Sequence, residues 1–514
     1  MPALAAFLFI TLPWLNPFSP GPTSSVGPLL FAWVCAAGVL LALAFERQRG
    51  ENLLMVRAIA LAWATAAGLS AVIGLMQYFG VTASFGVWLN HTSVGEAFGN
   101  LRQRNQFATL LNIGLVAVLW LASNQAHAPH GSGFTPSARW PMPLGLAAAA
   151  LLGAGNAASS SRTGLFQLVL LLVLMLWWLH GSAGTTLRQA RHARQLHLIL
   201  AAAAMAYAIA TFALPWLAGL DPLSSGAWAR LRAGDEACFS RLTLWSNVLT
   251  LISQKPWLGW GWGELDYAHF ITLYPGKRFC DILDNAHNLP LHLAVELGVP
   301  VALVACGAVL WLLARTQPWR ETHPTRQLAW GVLAVIALHS LLEYPLWYGP
   351  FQTAAALSLW LLGWVPRSGG PAHSFKTFRP LARYLYAVTA IFLIAYCIFA
   401  AWNYHIISQI YLDPDSRDPA YQTNTLEKIR GVWLFQDQVR FAELTTTDLT
   451  ADNAASMNAL AKDMLHFSPE ARVAELVLDS ALLQGHTDEV TFYAARYRAA
   501  FPKAYANWVK KEKP

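Results

Sequence analysis

At 514 residues, 55% hydrophobic and only 12% charged, the chain is far more apolar than a water-soluble globular protein, and its mean hydropathy is positive. A purely soluble enzyme is excluded. The formal net charge of +7 does not mark a nucleic-acid binder, because the basic residues sit mainly in short loops between apolar runs, where they orient helices.

A bilayer core about 30 Å thick needs roughly 17–25 mostly apolar residues per helix. About eleven such stretches can be read, near residues 1–12, 28–45, 58–79, 105–122, 141–157, 164–180, 197–218, 288–313, 328–343, 348–365 and 384–407. The expected fold class is therefore all-α, a polytopic membrane protein of about 11 transmembrane helices. The first stretch has no basic n-region and no small-residue cleavage site, so it reads as a retained anchor. Arg47, Arg49 and Arg57, then Arg139, then Arg188, Arg191 and Arg194, then Arg315, Arg320 and Arg326, then Arg367, Lys376, Arg379 and Arg383 all fall on one side if the spans alternate. By the positive-inside rule that side is cytoplasmic, so the N-terminus is inside and everything after Tyr404 is outside. The organisation expected is spans one to seven over 1–219, a large outer loop over 220–287, spans eight to eleven over 288–411, and an outer domain over 412–514.

Arg102, Arg104, Arg162 and Arg241 break this charge rule. Arginines kept near a membrane surface against the orientation bias point to a task, against the plainer reading of snorkelling side chains. In Asn100-Leu-Arg-Gln-Arg104-Asn105-Gln106 the polar residues stand where a span begins, so amide donors at a helix N-terminus lie beside a guanidinium and suit an anion. An ordinary cap with an interfacial arginine is the competing reading. Asn156-Ala-Ala-Ser-Ser-Ser-Arg162-Thr-Gly164 is a tight polar turn that adds a bidentate fork suited to phosphate oxygens. His180, His192 and His197 have no ligand spacing with acids or cysteines, and no metal is assigned to them.

The outer loop carries the densest chemistry. From Arg241 the apolar residues recur at helical spacing until Pro256. The run Gly259-Trp-Gly-Trp-Gly263 suits an interfacial aromatic belt or a sugar-stacking surface, and His287 stands at the mouth of the next span, where an imidazole can move a proton near neutral pH. Cys238 and Cys280 are the two of five cysteines outside the spans, and an oxidising compartment would let them pair. Further on, His339 and Glu343 are four residues apart and are expected on one helical face before Pro345, as a packing contact or part of a site. After Leu412 charge rises and helical patterns recur at Thr425–Gln438, Asp452–His466, Pro469–Gly485 and Thr487–Phe501, which reads as four to five helices stacked in hairpins with tetratricopeptide-like packing.

The pieces Gln103-Arg-Asn-Gln-Phe-Ala108, Ser160-Ser-Arg162-Thr-Gly164, Arg241 with Trp245, Pro256, Gly259 and Gly261, Ala286-His287-Asn288 leading into Leu293-Ala-Val-Glu-Leu-Gly298, and His339 through Glu343-Tyr344-Pro-Leu-Trp347 resemble, in order and spacing, the O-antigen ligase/polymerase (WaaL/Wzy) superfamily. Within it they resemble most the bacterial protein O-oligosaccharyltransferases of PglL type. The resemblance implies a GT-C-like fold in the bacterial inner membrane, with the active site, the large loop and the C-terminal domain periplasmic. It also implies transfer of a glycan from an undecaprenyl-diphosphate carrier to a Ser or Thr hydroxyl of a periplasmic, pilin-like acceptor protein, with no cofactor, no nucleotide sugar, no metal and no nucleic acid. Its catalytic residues would be His287, Arg241 and Arg162, with Arg104, Asn105, Gln106, His339, Glu343 and Tyr344 binding substrate. His287 would be a general base or a phosphate-orienting group. An O-antigen ligase or polymerase with a lipid-linked acceptor is the alternative within the class. A polyprenyl-glycan transporter or flippase is the alternative outside it, disfavoured because the polar groups gather at one surface and no inverted repeat is apparent.

Overall fold

The computed structural model describes residues 1–16, 22–46, 53–123, 141–181, 187–233, 238–365 and 379–511, and within these every regular element is a helix. In chain order they are α1 (Pro2–Thr11), α2 (Val26–Phe45), α3 (Leu53–Tyr78), α4 (Arg104–Ser123), α5 (Met142–Ala158), α6 (Arg162–Gly181), α7 (Leu187–Leu217), α8 (Gly226–Ala233), α9 (Arg241–Gln254), α10 (Leu265–Ile271), α11 (Leu289–Leu297), α12 (Val299–Thr316), α13 (Pro324–Ser340), α14 (Gly349–Trp364), α15 (Arg379–Ser408) and α16 to α21 (Thr425–Ile429, Gln436–Thr446, Ala454–Phe467, Ala471–Leu483, Thr487–Ala500, Pro502–Lys511). Among the described residues seven helices are long and apolar enough to cross a bilayer: α2, α3, α4, α6, α7, α12 and α15. The other four expected spans coincide with α1, α5, α13 and α14, which have 10, 17, 17 and 16 residues. The chain is a multi-pass membrane protein. Arg47, Arg49, Arg139, Arg367 and Lys376, used above to orient it, lie outside the described residues.

Three expected boundaries are corrected. The apolar run 288–313 is two helices, because Gly298 takes φ 88°, ψ 158° between α11 and α12, a backbone state that glycine reaches without a Cβ penalty. The run 328–343 stops being helical at Ser340, so His339 and Glu343 do not share a helical face. In the tail, the expected helix 425–438 ends at Ile429, and the next begins only at Gln436, after Phe435 at φ 63°. Pro502 then opens a further helix, α21, that the pattern did not reveal, with its missing N–H at a position that needs none.

The chain forms two units. The first comprises Met1–Ala233, Leu313–Ser340 and Pro345–Ile398. Its axis is α4, whose membrane window is wholly buried, as expected of a helix apolar on every side. Small residues let its neighbours approach closely: a Cβ added at Gly114 would lie 2.2 Å from Ala67, and one at Gly153 in α5 would lie 2.2 Å from the backbone of Ala203 in α7. Close backbone approach through Gly and Ala replaces the hydrophobic drive that lipid cannot supply.

The second unit comprises Gly234–Leu312, Leu341–Tyr344 and Phe399–Pro514. Leu244, Val248 and Leu251 of α9 pack with Leu265, Leu283, Ala286 and Val295 in a small core. A larger one joins Met457, Met464, Val473, Val477, Leu478 and Tyr497 of the tail to Phe270 of α10. There Arg496 donates to the Ile271 carbonyl at 2.8 Å, and His466 stacks on Tyr267 and meets Glu264 at 2.6 Å.

Candidate active site

In the second unit the loop is built to hold its ends. Ser240 caps α9 by accepting from the Thr243 amide at 3.2 Å, which places Arg241 at the first helical position. Cys238 and Cys280 form a disulfide with Cα atoms 5.4 Å apart. Asn247 fastens the same stretch, donating to the Lys277 carbonyl at 2.9 Å and accepting from the Phe279 amide at 2.8 Å. His269, 2% exposed, sits between the Tyr274 hydroxyl at 2.8 Å and the Phe279 carbonyl at 3.2 Å, and burial pushes its pKa down to about 3, so it is a neutral packing histidine.

The glycine and tryptophan turn after Pro256 has a mechanical role. The amides of Trp260 and Gly261 donate to the carbonyls of Val295 and Glu296 at 2.9 and 3.0 Å, satisfying acceptors that the end of α11 leaves open. The Trp260 indole donates to the Leu251 carbonyl at 3.0 Å near the end of α9. Only glycine fits at 259: φ is +70°, and a Cβ would lie 2.3 Å from the Glu296 carbonyl. The turn thus locks α9 to α11, while Trp257, Leu258 and Trp262 remain exposed.

Beyond it the chain reaches His287 in a left-handed conformation, φ 50°. Trp245 donates to the Ala286 carbonyl at 3.1 Å, and Asn285 Oδ1 accepts from the His287 amide at 2.9 Å. Asn288 then caps α11 through the Leu291 amide at 3.0 Å. Residues 341–344, which follow α13, lie against this point. Arg241 donates to the Leu342 carbonyl through Nη1 and to Glu343 Oε1 through Nη2. Glu343 Oε2 is 3.5 Å from His287 Nε2, and the Tyr344 ring stands edge-on to the imidazole at 5.2 Å. Arg241, His287, Glu343 and Tyr344 are therefore brought together. A cation, an imidazole and a carboxylate at such spacing can stabilise a developing anion and handle a proton.

Arg104, Asn105, Gln106, Arg162 and His339 belong to the first unit. Arg104 is ion-paired with Glu96 at 3.2 Å, so its guanidinium has a protein partner where an anion was expected. The Gln106 amide donates to Gln103 Oε1 at 2.7 Å, which takes up one of the donors at the start of α4. Asn105 Oδ1 accepts from Ser161 at 2.6 Å, and Ser161 accepts from the Gly164 amide at 2.9 Å, so the two polar turns singled out above are joined. Arg162, half-buried, opens α6 beside Ser160 at φ 52°. His339, fully buried, shares a hydrogen bond of 2.9 Å with Thr109, which also bonds Gln167.

Sequence reasoning missed Glu96 and Asn285, whose partners Arg104 and His287 lie close by in irregular backbone that no periodicity marks, and the carbonyls of Leu341 and Leu342, whose roles come from contacts between distant segments. The Asn288 cap had a readable signal, an Asn with Pro at the second helical position.

Three family models match successive parts of the chain: "Protein glycosylation ligase" over residues 97–122, "O-Antigen ligase" over 147–306 and "Virulence factor membrane-bound polymerase, C-terminal" over 327–514. The chain is similar to a "General O-oligosaccharyltransferase" of Acinetobacter baylyi, 26% identical over 55% of this chain and 46% of that protein. It is also similar to a "ComP-specific O-oligosaccharyltransferase" of the same organism, 25% identical over 60% of this chain and 50% of that protein. It spans about half the length of these curated relatives. No solved structure matches. The second of these models takes in Arg162, Arg241 and His287 and the third takes in Glu343, and together the matches support a likeness to the O-antigen ligase/polymerase superfamily, most of all to its protein glycosylation ligases.

Proposed function

We propose that the protein is a protein O-oligosaccharyltransferase of the bacterial inner membrane, moving a glycan en bloc from undecaprenyl diphosphate to a Ser or Thr hydroxyl of a periplasmic, pilin-like protein. The observation that carries this reading is the grouping of Arg241 and His287 of the large loop with Glu343 from the segment after α13. The acceptor oxygen attacks the anomeric carbon, the bond from that carbon to the phosphate oxygen breaks, and its electron pair leaves on the diphosphate. The hydroxyl proton passes to His287 Nε2 or, with His287 serving to orient phosphate, to the departing diphosphate. Arg241 stabilises the leaving oxygen electrostatically. Arg162 is proposed as a further diphosphate ligand on its sequence motif alone. No metal is required, since cationic side chains supply the charge. The helices from Thr425 to Lys511 are proposed as the periplasmic surface that docks the acceptor.

The polymerase-type match over 327–514 favours a second reading, a ligase or polymerase whose acceptor is lipid-linked. Expression with a candidate pilin in ligase-deficient cells making a lipid-linked glycan separates the two. A glycan-dependent shift in pilin mobility supports the proposal, and restored O-antigen with unshifted pilin refutes it.

A further inference from the structure

The four residues that follow α13 each meet the loop. The Leu341 carbonyl accepts from Asn288 Nδ2 at 3.0 Å, the Leu342 carbonyl accepts from Arg241, the Glu343 carboxylate lies between Arg241 and His287, and the Tyr344 ring abuts the imidazole. The Glu343 side chain is only 10% exposed against 29% for Arg241 and 25% for His287, so the carboxylate is the inner member of the group. His287 Nδ1 faces the Asn285 carbonyl at 3.1 Å, and a carbonyl can only accept, so Nδ1 carries a proton and Nε2 is the nitrogen turned toward Glu343. A carboxylate repels a diphosphate, which argues against the substrate-binding role expected for Glu343 from the sequence. Its chemistry instead suits a bridge between two groups that do bind anions.

We infer that Glu343 is a positioning residue: its carboxylate holds the Arg241 guanidinium and the His287 imidazolium, which meets it through Nε2–H when both ring nitrogens are protonated, at a common centre before any substrate arrives. The inference rests on the transferase reading for its purpose, but its geometry can be tested without a donor. In the full chain in detergent, diethylpyrocarbonate modifies accessible imidazole nitrogens, and peptide mass analysis reads each histidine separately. Glu343→Gln removes the charge, and Glu343→Asp keeps it. The expected result is a severalfold faster modification of His287 in Glu343→Gln, reversed in Glu343→Asp. His269 and His292, each 2% exposed in the same unit, should be unchanged. Glycan transfer by Glu343→Gln should fall by about a hundredfold, the scale of a 1 Å misplacement at a reacting centre, with partial rescue in Glu343→Asp. A His287 rate equal to wild type in Glu343→Gln overturns the inference. Faster modification of all three histidines also overturns it, since the unit has then merely loosened. A wild-type chain that transfers no glycan refutes the transferase reading instead, and leaves the modification pattern to stand or fall separately.

Discussion

The disulfide between Cys238 and Cys280 gives the most quantitative prediction. It closes a 42-residue separation that contains α9, the glycine turn and α10, and His287 follows shortly after it. In the chain-entropy picture, removing a cross-link over a loop of this length frees the unfolded chain by about 4 kcal/mol. The folded geometry should survive its removal. The Cys280 amide donates to the Cys238 carbonyl at 3.2 Å, and Asn247 fastens Lys277 and Phe279 independently of the sulfurs. Cys238→Ser with Cys280→Ser should therefore keep transfer activity in buffer and lose resistance to denaturant. Pulse proteolysis in urea, with a protease that cuts after Lys255, Lys277 or Arg278, reads this loop directly. With m of about 1–3 kcal/mol/M, the midpoint should fall by roughly 1–4 M. An unchanged midpoint, or a wild-type midpoint indifferent to reductant, would refute the reasoning.

Three further outcomes follow from the same unit. Gly259→Ala places a Cβ 2.3 Å from the Glu296 carbonyl at a φ of +70° and should destabilise the loop by at least about 2 kcal/mol; a variant with wild-type urea resistance would show that the turn does not lock α11. Asn288→Ala removes both a helix cap and the bond to the Leu341 carbonyl, about 1 kcal/mol each, and should lower transfer as well as the urea midpoint. Burial, joined by the neighbouring carboxylates Glu264 and Asp284, pushes Asp266 up to about 7 from its usual 3.8. The folded unit then keeps a proton that the unfolded chain has already released, so stability should fall as pH rises from about 4 to about 7 and level off above. Asp266→Asn should flatten that slope in urea midpoints taken across the range, and identical slopes for variant and wild type would contradict the assignment.

The legible part of the fold was the part written as contiguous pattern. Apolar runs located α2, α3, α4, α6, α7 and α15, because a span needs only length and composition. The break at Gly298 was hidden, since apolar residues continue on both sides and only the backbone state of one glycine separates α11 from α12. Arg241 and His287 were legible as ionisable groups bounding a polar loop. The role of Glu343 was not: helical spacing paired it with His339, whereas α13 ends at Ser340 and the carboxylate turns to Arg241 and His287. Arg104 shows the same limit, because its partner Glu96 lies in a preceding loop that no periodicity marks.

The central claim is that Arg241 and His287 form the transfer centre. Its most direct test is glycan transfer by the purified full chain, given undecaprenyl-diphosphate-linked glycan and an acceptor protein, with Arg241→Ala and His287→Ala compared at matched amounts of folded protein. The account predicts transfer to a Ser or Thr of the acceptor by wild type and a loss of about a hundredfold or more in each variant. Wild-type rates in either variant would contradict it.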